Sequence, residues 1–496
     1  MYDGRMKGEK MKKQALNPFL AGYEYIPDAE PYVFGDRLYI YGSHDRFDGD
    51  DFCLNDYVCW SAPVDDLGIW EKEGVIYCAK QDPLNADGTQ HLFAPDVQTG
   101  LDGRYYLFYC LSRSSTVSVA VCDTPAGKYQ FYGHLHFPDG TLYGKRPGDV
   151  FNFDPGVLRD DDGKLYLYTG ISYTKDSAVR RFMEGKMHID GSYCVELEED
   201  MLTVHSEPVV SVPGEVLAEG TEFAGHGFFE ASSPRKINGR YYMVYSSVKS
   251  HDLCYAVSES PKEGFRFGGV IVSIGDIGLV EESQAVNYLS NTHGGLVQAA
   301  GQWYIFYHRH TNGHRNSRQM CAEPVTITDD GRIVQTEVTS CGLNGGPLRG
   351  NGRYEARIAC NLSSAEGTYT YQKEKMPEKE KHPYFTQDGA DRENHSNQHI
   401  ANMRDGAWAG FKYFDIRTCR RIGVFVRGSA RGKMLVQRLR DGEVLGTIQI
   451  QPSADWQEFS GEVHIDPGIH ALYFTYHGTG SMDWLWFELH ETMNLV

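Results

Sequence analysis

One polar residue stands at the same place in each of five similar stretches of the chain. Each lies 10 to 12 residues before a tyrosine that is embedded in an alternating apolar run. The polar residues are Asp28, Asp96, Asp154, Glu230 and His293, and the tyrosines are Tyr39, Tyr106, Tyr166, Tyr242 and Tyr304. Two carboxyl groups across a sugar can hydrolyse a glycosidic bond, because one protonates the leaving oxygen while the other activates water or attacks directly. If the fold brings these residues together, that chemistry becomes available.

The neighbours of two carboxylates suggest different roles for them. Glu230 lies inside the apolar run Phe228-Phe229-Glu230-Ala231, and an apolar setting favours the protonated form of a carboxyl group. Asp28 follows polar residues, which suits a carboxylate that stays ionised as a base. Taken singly, an Asp beside a proline, such as Asp28 or Asp154, is more often a turn residue than a catalyst. The shared register of all five polar residues is what indicates a site.

The spacing of the five tyrosines indicates which elements position these residues. The tyrosines are 67, 60, 76 and 62 residues apart, and Asp-Gly or Asn-Gly turns split several of the runs into hairpins. This interval leaves room for about four strands per unit, which is the size of a propeller blade. The innermost strands of a propeller line its central channel, so equivalent positions converge on one axis. An ordinary meander or sandwich would not keep this spacing, and we therefore predict a five-bladed β-propeller.

The all-β pattern continues beyond the propeller but changes its spacing. Residues 17–340 are predicted to form the propeller, and residues 341–349, which are rich in glycine, a linker. Short strands about 10 to 15 residues apart predict a β-sandwich, jelly-roll-like domain over residues 350–496. Residues 1–16 are predicted to be a disordered tail.

Composition excludes several classes of protein. The chain has 48 basic and 67 acidic side chains, a net charge of −19 that would repel nucleic acid. No stretch approaches the roughly 18 apolar residues of a membrane helix, and the first 13 residues lack the apolar core of a secretory signal. The 11 cysteines contain no CxxC pair, which favours reduced thiols. We expect a cytoplasmic protein that binds neither nucleic acid nor membranes.

Five motifs in order resemble those of glycoside hydrolase family 43, over about residues 17 to 340. They are Pro27-Asp28-Ala29-Glu30-Pro31, Phe93-Ala94-Pro95-Asp96-Val97, Phe153-Asp154-Pro155, Glu230-Ala231-Ser232, and His293-Gly294-Gly295 with Trp303-Tyr304-Ile305-Phe306-Tyr307-His308-Arg309. The resemblance implies a five-bladed propeller and hydrolysis with inversion. It further implies that Asp28 is the general base, Glu230 the general acid, and Asp154 the residue that tunes the pKa of the acid and orients it.

The same resemblance implies roles for four further residues. His293 matches a histidine that contacts a metal, commonly calcium, in the channel below the site. Arg318 resembles an arginine that holds a sugar hydroxyl. Phe93 stands where a ring can stack on a sugar, and Asp96 lies in a family motif that contributes to substrate binding.

The C-terminal part resembles a family 6 carbohydrate-binding module. The resemblance rests on Gly406 to Phe414, Ser453 to Gln457, Gly468 to Phe474 and Ser481 to Leu485. Trp456 matches a sugar-stacking aromatic residue of that family. Ser481 stands where the family often has a ligand-binding asparagine, so packing against the propeller is implied as much as sugar binding.

Together these observations predict an exo-acting, inverting glycoside hydrolase. Its substrates would be arabinose- or xylose-containing oligosaccharides from plant cell walls, and α-L-arabinofuranosidase is the leading activity. A β-xylosidase and an endo-arabinanase are alternatives of the same class. A catalytically silent sugar-binding propeller is the alternative of another class, against which the three intact carboxylates argue.

Overall fold

The computed structural model describes residues 12–368, 380–391 and 397–491. Five antiparallel sheets follow one another in the first of two domains, and each is built from consecutive strands. Blade 1 contains β1 (Glu30–Phe34), β2 (Arg37–Tyr41), β3 (Tyr57–Pro63) and β4 (Glu71–Tyr77). Blade 2 contains β5 (Leu92–Thr99), β6 (Tyr105–Leu111), β7 (Val117–Cys122) and β8 (Gln130–His134). Blade 3 contains β9 (Gly156–Arg159), β10 (Leu165–Thr169), β11 (Gly191–Leu197) and β12 (Val209–Pro213). Blade 4 contains β13 (Phe228–Ile237), β14 (Arg240–Ser247), β15 (Asp252–Ser258) and β16 (Arg266–Ser273). Blade 5 contains β17 (Leu296–Ala299), β18 (Gln302–His310) and β19 (Arg318–Val325).

Turn chemistry forms the hairpins as the sequence predicts. Ile237 of β13 pairs with Arg240 of β14, so Asn238-Gly239 is a two-residue turn. Both turn residues have positive φ, at 50° and 81°, as the hairpin turn that follows the twist of the strands requires. Asparagine and glycine are the residues that adopt this conformation most readily.

Apolar cores between neighbouring blades hold the ring together. The first strands of blades 1 to 4 contact one another in succession around the axis, and β17 contacts β1. Buried side chains of blades 1 and 5, such as Leu38, Ile40, Val297 and Phe306, share one cluster that closes the ring. A parallel bridge between Ala29 and Gly294 adds a backbone link at the same seam. The predicted five-bladed propeller is confirmed.

Helices are short and lie between strands. An α-helix, α1 (Ala178–Met183), follows β10, and the Ser177 hydroxyl caps it by accepting the Arg180 N–H. Within the described residues, no helix has the length and apolar character needed to cross a bilayer. The single-turn 3₁₀ helices are Ala79–Gln81, Pro83–Asn85, Glu282–Gln284, Gly342–Asn344 and Ala356–Ile358.

The second domain is a 12-stranded sheet that curls on itself, consistent with the predicted β-sandwich. Its core is apolar and includes the buried Phe411, Phe474, Trp484 and Phe487. The strands are β20 (Leu348–Arg349), β21 (Gly352–Glu355), β22 (Asn361–Ser363), β23 (Tyr384–Thr386), β24 (His399–Met403), β25 (Trp408–Ile416), β26 (Cys419–Gly428), β27 (Arg431–Gln437), β28 (Val444–Ile450), β29 (Ser453–Ile465), β30 (Gly468–Thr479) and β31 (Met482–His490).

Polar contacts join the two domains. The buried ammonium group of Lys412 lies 3.4 Å from Asp276 Oδ2 and 3.0 Å from Glu337 Oε2 of the propeller. The guanidinium carbon of Arg309 lies 3.8 Å from the ring centre of Phe385. The sandwich domain therefore packs against the propeller.

The predicted tail and linker both make defined contacts. Residues 1–11 lie outside the described residues, but the N–H of Ala15 donates to Asn344 Oδ1 at 3.1 Å and Ala15 is buried. Residues 12–16, assigned to the predicted tail, are therefore attached to the rest of the protein. Leu348 and Arg349, assigned to the predicted linker, pair in parallel with β25 and so belong to the sandwich sheet.

Candidate active site

Irregular backbone conformation at the inner strands orients the side chains of the site residues. The pairing of β13 with β14 shifts register on both sides of Glu230, and Ala231 has a φ of 73°. Such bulges bend a strand and redirect its side chains. Asp28 and Asp154 each come two residues before an inner strand and have φ values of 59° and 46°. Aspartate is among the residues that tolerate this left-handed region.

One cavity of about 330 Å³ collects most of the predicted site residues. Asp28, Asp154 and Glu230 all line it, and so do Phe93 and Arg318. Phe93 packs edge-on against Phe153, with ring centres 5.7 Å apart. The sequence analysis did not predict several other lining residues, which include Phe52, Cys53, Phe153, Phe229 and Arg315. Carboxyl groups and aromatic rings together are suited to binding and protonating a sugar.

Glu230 is held in its protonated form. Burial and, next in size, the charge of the nearby Asp154 carboxylate together raise its pKa to about 8. Burial also raises the pKa of Asp154. Glu230 can therefore donate a proton at neutral pH.

Asp28 is an ion-paired carboxylate. It is 6% exposed, and Arg318 Nη1 donates to its Oδ1 at 3.0 Å. The backbone N–H of Asp28 points toward His308 Nδ1 at 3.3 Å, so this imidazole nitrogen accepts. Burial and the charge of Arg318 hold the pKa of His308 well below its usual range, which keeps the ring neutral. Of these two neighbours, Arg318 and not His308 therefore supplies positive charge beside Asp28.

Asp45 anchors Arg318 and is a site residue that sequence reasoning missed. Arg318 Nε lies 2.8 Å from Asp45 Oδ2, and Nη2 lies 2.9 Å from Oδ1. This two-point contact fixes the plane of the guanidinium group. Asp45 follows β2 and has no counterpart in the other repeats. The amino-acid sequence therefore contains no pattern that predicts its contact with Arg318.

His293 lies among carboxylates beneath the cavity. Its Nδ1 is 3.5 Å from Asp154 Oδ2 and 3.9 Å from Asp28 Oδ1, and its Nε2 is 3.8 Å from Glu30 Oε1. Burial alone would lower the pKa of His293, but contacts with Asp154 and Glu30 outweigh it and raise the pKa well above the usual value. Glu30 Oε1 is buried and has no hydrogen-bond partner among the described residues. A neutral imidazole nitrogen and an unpartnered carboxylate oxygen this close together fit a partly hydrated cation, so cation binding here would displace the proton of His293.

Asp96 is not among the residues that line the cavity, and its part in substrate binding stays a prediction. Its Oδ1 accepts from the Tyr32 hydroxyl at 2.5 Å, and its Oδ2 accepts from the N–H of Val157 at 2.6 Å. Burial raises the pKa of Asp96 to about 7, and the charge of Glu30 adds to the effect. Asp96 therefore ties blades 1, 2 and 3 together, which the motif alone does not reveal.

Comparison with known proteins agrees with this geometry. The model of glycosyl hydrolases family 43 matches residues 15–333, and that of the family 6 carbohydrate-binding module matches residues 359–489. The chain belongs to glycoside hydrolase family 43. The family 43 domain thus contains the cavity and the residues discussed above, from Asp28 to Arg318.

Relatives of this family 43 protein include one that is similar over nearly the whole chain. A "Xylosidase/arabinosidase" from Thermoclostridium stercorarium is 52% identical over 95% of this chain and 98% of the relative. The structure of an arabinoxylan arabinofuranohydrolase from Bacillus subtilis, in complex with cellotetraose, covers 97% of this chain and 99% of that one, with 20% identity and a TM-score of 0.51. A family 43 enzyme from Xanthomonas citri, complexed with xylose, covers 64% of this chain and 91% of that one, with 25% identity and a TM-score of 0.50.

Trp456 lies in the family 6 module, apart from the cavity of the family 43 domain. Its ring is 6.0 Å from that of Phe425 in a stacked arrangement, and the guanidinium carbon of Arg427 lies 4.4 Å from its centre. His399 contacts it edge-on at 5.5 Å. Trp456 is therefore part of a packed aromatic group on this module, and its binding of sugar stays a prediction.

Proposed function

We propose that this family 43 protein is an inverting, exo-acting glycoside hydrolase that releases arabinose or xylose from plant cell-wall oligosaccharides. The leading activity is that of an α-L-arabinofuranosidase, and β-xylosidase is the second candidate. The observation that carries the proposal is the gathering of Asp28, Asp154 and Glu230 in one aromatic-lined cavity, with Glu230 protonated. The 52% identical relative, whose name joins xylosidase with arabinosidase, supports both candidates.

The proposed reaction assigns one proton transfer to each of two carboxyl groups. Glu230 gives its proton to the glycosidic oxygen as the bond between that oxygen and the anomeric carbon breaks. A water molecule attacks the anomeric carbon from the opposite face and loses a proton to Asp28. The sugar leaves with inverted configuration, Glu230 is ionised and Asp28 is protonated, and proton exchange with solvent restores both. Inversion requires the carboxyl groups of Asp28 and Glu230 to lie about 6.5–9.5 Å apart, so that the water fits between them.

Asp154 and Arg318 support these two groups in the proposal. The charge of Asp154 helps keep the proton on Glu230. Arg318, fixed by Asp45, holds Asp28 in place. The contact of Arg318 with a sugar hydroxyl remains part of the proposal because this side chain also lines the cavity.

We also propose that His293 and Glu30 hold a calcium ion below the cavity. The buried, unpartnered Oε1 of Glu30 beside His293 Nε2 supports this assignment. Such an ion would supply a positive charge near Asp28 and Asp154, without direct contact with the sugar. His293 would then be a neutral ligand.

Two aryl glycosides test the proposed activity. The 4-nitrophenyl derivatives of α-L-arabinofuranose and β-D-xylopyranose should be cleaved, the first faster, while Glu230→Gln serves as an inactive control on oligosaccharides. Early NMR spectra of products from arabinoxylan and arabinan oligosaccharides should show single sugars of inverted configuration. Turnover of neither aryl glycoside would instead support the endo-acting or the silent sugar-binding alternative.

A further inference from the structure

The second domain contacts a loop that forms part of the cavity wall. This loop, here called the cavity loop, comprises residues 46–56 and connects β2 to β3. Its residues Phe52 and Cys53 line the cavity. Asp391 of the second domain accepts the backbone N–H of Phe47 at 2.7 Å, and its other oxygen lies 3.5 Å from Asn55 Nδ2. One carboxylate thus contacts the cavity loop near both of its ends.

The tip of the cavity loop is joined to the arginine that holds Asp28. The N–H of Cys53 donates to Asp45 Oδ1 at 3.0 Å, and Arg318 Nη2 lies 3.4 Å from Cys53 Sγ. The guanidinium carbon of Arg318 is 4.8 Å from the ring centre of Phe52. The position of Phe52 therefore depends on contacts from the propeller at the tip and from the second domain at the ends.

A second contact from the same segment of the second domain reinforces the first. The hydroxyl of Tyr25 donates to Gln387 Oε1 at 2.6 Å, and the ring of Tyr25 packs 5.4 Å from that of Phe47. The carbonyl oxygen of Tyr25 accepts the N–H of Asp45 at 2.9 Å. Gln387 and Asp391 of the second domain thus hold the start of the cavity loop, Asp391 through the loop backbone and Gln387 through an aromatic neighbour.

We propose that Asp391 is a positioning residue that strengthens substrate binding by fixing the cavity loop, and with it Phe52, at the sugar-binding cavity. A hydrogen bond from a backbone N–H to a carboxylate is stronger than one between neutral groups, and a loop without such an anchor samples open conformations. Among the described residues, Asp391 makes no hydrogen bond or ion pair with Glu230 or Asp28, so we expect its removal to change substrate binding more than proton transfer. The substrate part of this inference rests on the proposed function.

Kinetics of variants in the full-length protein test the role in binding. Asp391→Ala should raise KM about threefold to tenfold on the better aryl glycoside, the range expected for one lost hydrogen bond, and leave kcat and the alkaline pH limb unchanged. Asp391→Asn keeps an acceptor oxygen and should recover most of the loss. Asp388→Asn is the matched control, since the Asp388 carboxylate pairs with Arg427 inside the second domain at 2.7 and 2.9 Å.

A double variant and hydrogen exchange separate this proposal from the proposed function. If Asp391 acts through Phe52, the loss in Asp391→Ala/Phe52→Ala should not exceed that in Phe52→Ala alone. Amide exchange in residues 47–55 should be faster in Asp391→Ala than in the wild type or Asp388→Asn, whether or not a substrate is known. A folded Asp391→Ala protein with wild-type KM, or with wild-type exchange in these residues, would overturn the proposal. If the wild-type protein turns over neither glycoside, that result counts against the proposed function only. Amide exchange then tests by itself whether Asp391 anchors the cavity loop.

Discussion

Nη1 of Arg318 lies 3.0 Å from Oδ1 of Asp28, and both side chains are buried. Arg318 is itself held through two hydrogen bonds to Asp45. Asp28, the proposed base, is therefore positioned by a fixed guanidinium group from blade 5, although Asp28 itself precedes blade 1. The seam that closes the propeller thus also assembles the site.

For activity, the planar hydrogen-bonding geometry of the Arg318 guanidinium group should matter more than its positive charge. We expect Arg318→Lys to lower kcat/KM by about 10- to 100-fold, or roughly 1.4 to 2.7 kcal/mol, because an ammonium group cannot serve Asp28 and Asp45 in the same planar geometry. Steady-state kinetics on an aryl glycoside, with thermal unfolding as a check of folding, measure the effect. Wild-type kcat/KM in Arg318→Lys would show that a point charge is sufficient.

The pKa of Glu230 predicts the alkaline limb of the pH profile. Because its pKa is raised to about 8 and the protonated form is the active one, kcat/KM should fall as the pH rises through that value. The charge of Asp154 contributes to this shift, so Asp154→Asn should move the limb to lower pH. Profiles of kcat/KM against pH for both proteins provide the test. A limb that stays in place in Asp154→Asn would assign the shift to burial alone.

Those features of the site that repeat along the chain are predictable from sequence. Asp28, Asp154, Glu230 and His293 share a register with the hairpin turns, and local turn chemistry forms those hairpins. Because the inner strands converge, residues in that register also converge. Asp96 shares the register, yet its carboxylate oxygens accept hydrogen bonds from Tyr32 and Val157. These hydrogen bonds depend on how the blades pack against one another.

Contacts between distant and unrepeated parts of the chain are not predictable in this way. Asp45 and Arg318 are 273 residues apart, and Phe47 and Asp391 are 344 residues apart. Neither pair belongs to a repeat or a turn motif. Only the closed ring and the docked second domain bring these partners together.

Removal of the proposed calcium ion should affect the protein through His293. Dialysis against a chelator should lower activity or the melting temperature, and added calcium should restore it. Elemental analysis of the untreated protein should find the metal. In His293→Ala the chelator should have no further effect, which controls for binding elsewhere. No metal in the purified protein, and no change on chelation, would mean that no ion is bound and that protonated His293 lies among its carboxylate neighbours instead.

Removal of each of the two proposed catalytic carboxyl groups should lower the activity in a different way. Glu230→Ala should be severely impaired on oligosaccharides, by about 10²- to 10⁴-fold or roughly 3 to 5 kcal/mol, because the departing sugar alcohol needs a proton. The same variant should lose much less activity on an aryl glycoside whose phenolate leaves unaided. Asp28→Ala should lose activity on both substrates, since water must be activated whichever group departs. Rates of both variants on both substrates, with the anomer of the first product read by NMR, decide the assignment. Equal losses of Glu230→Ala on good and poor leaving groups, or a first product of retained configuration, would contradict it.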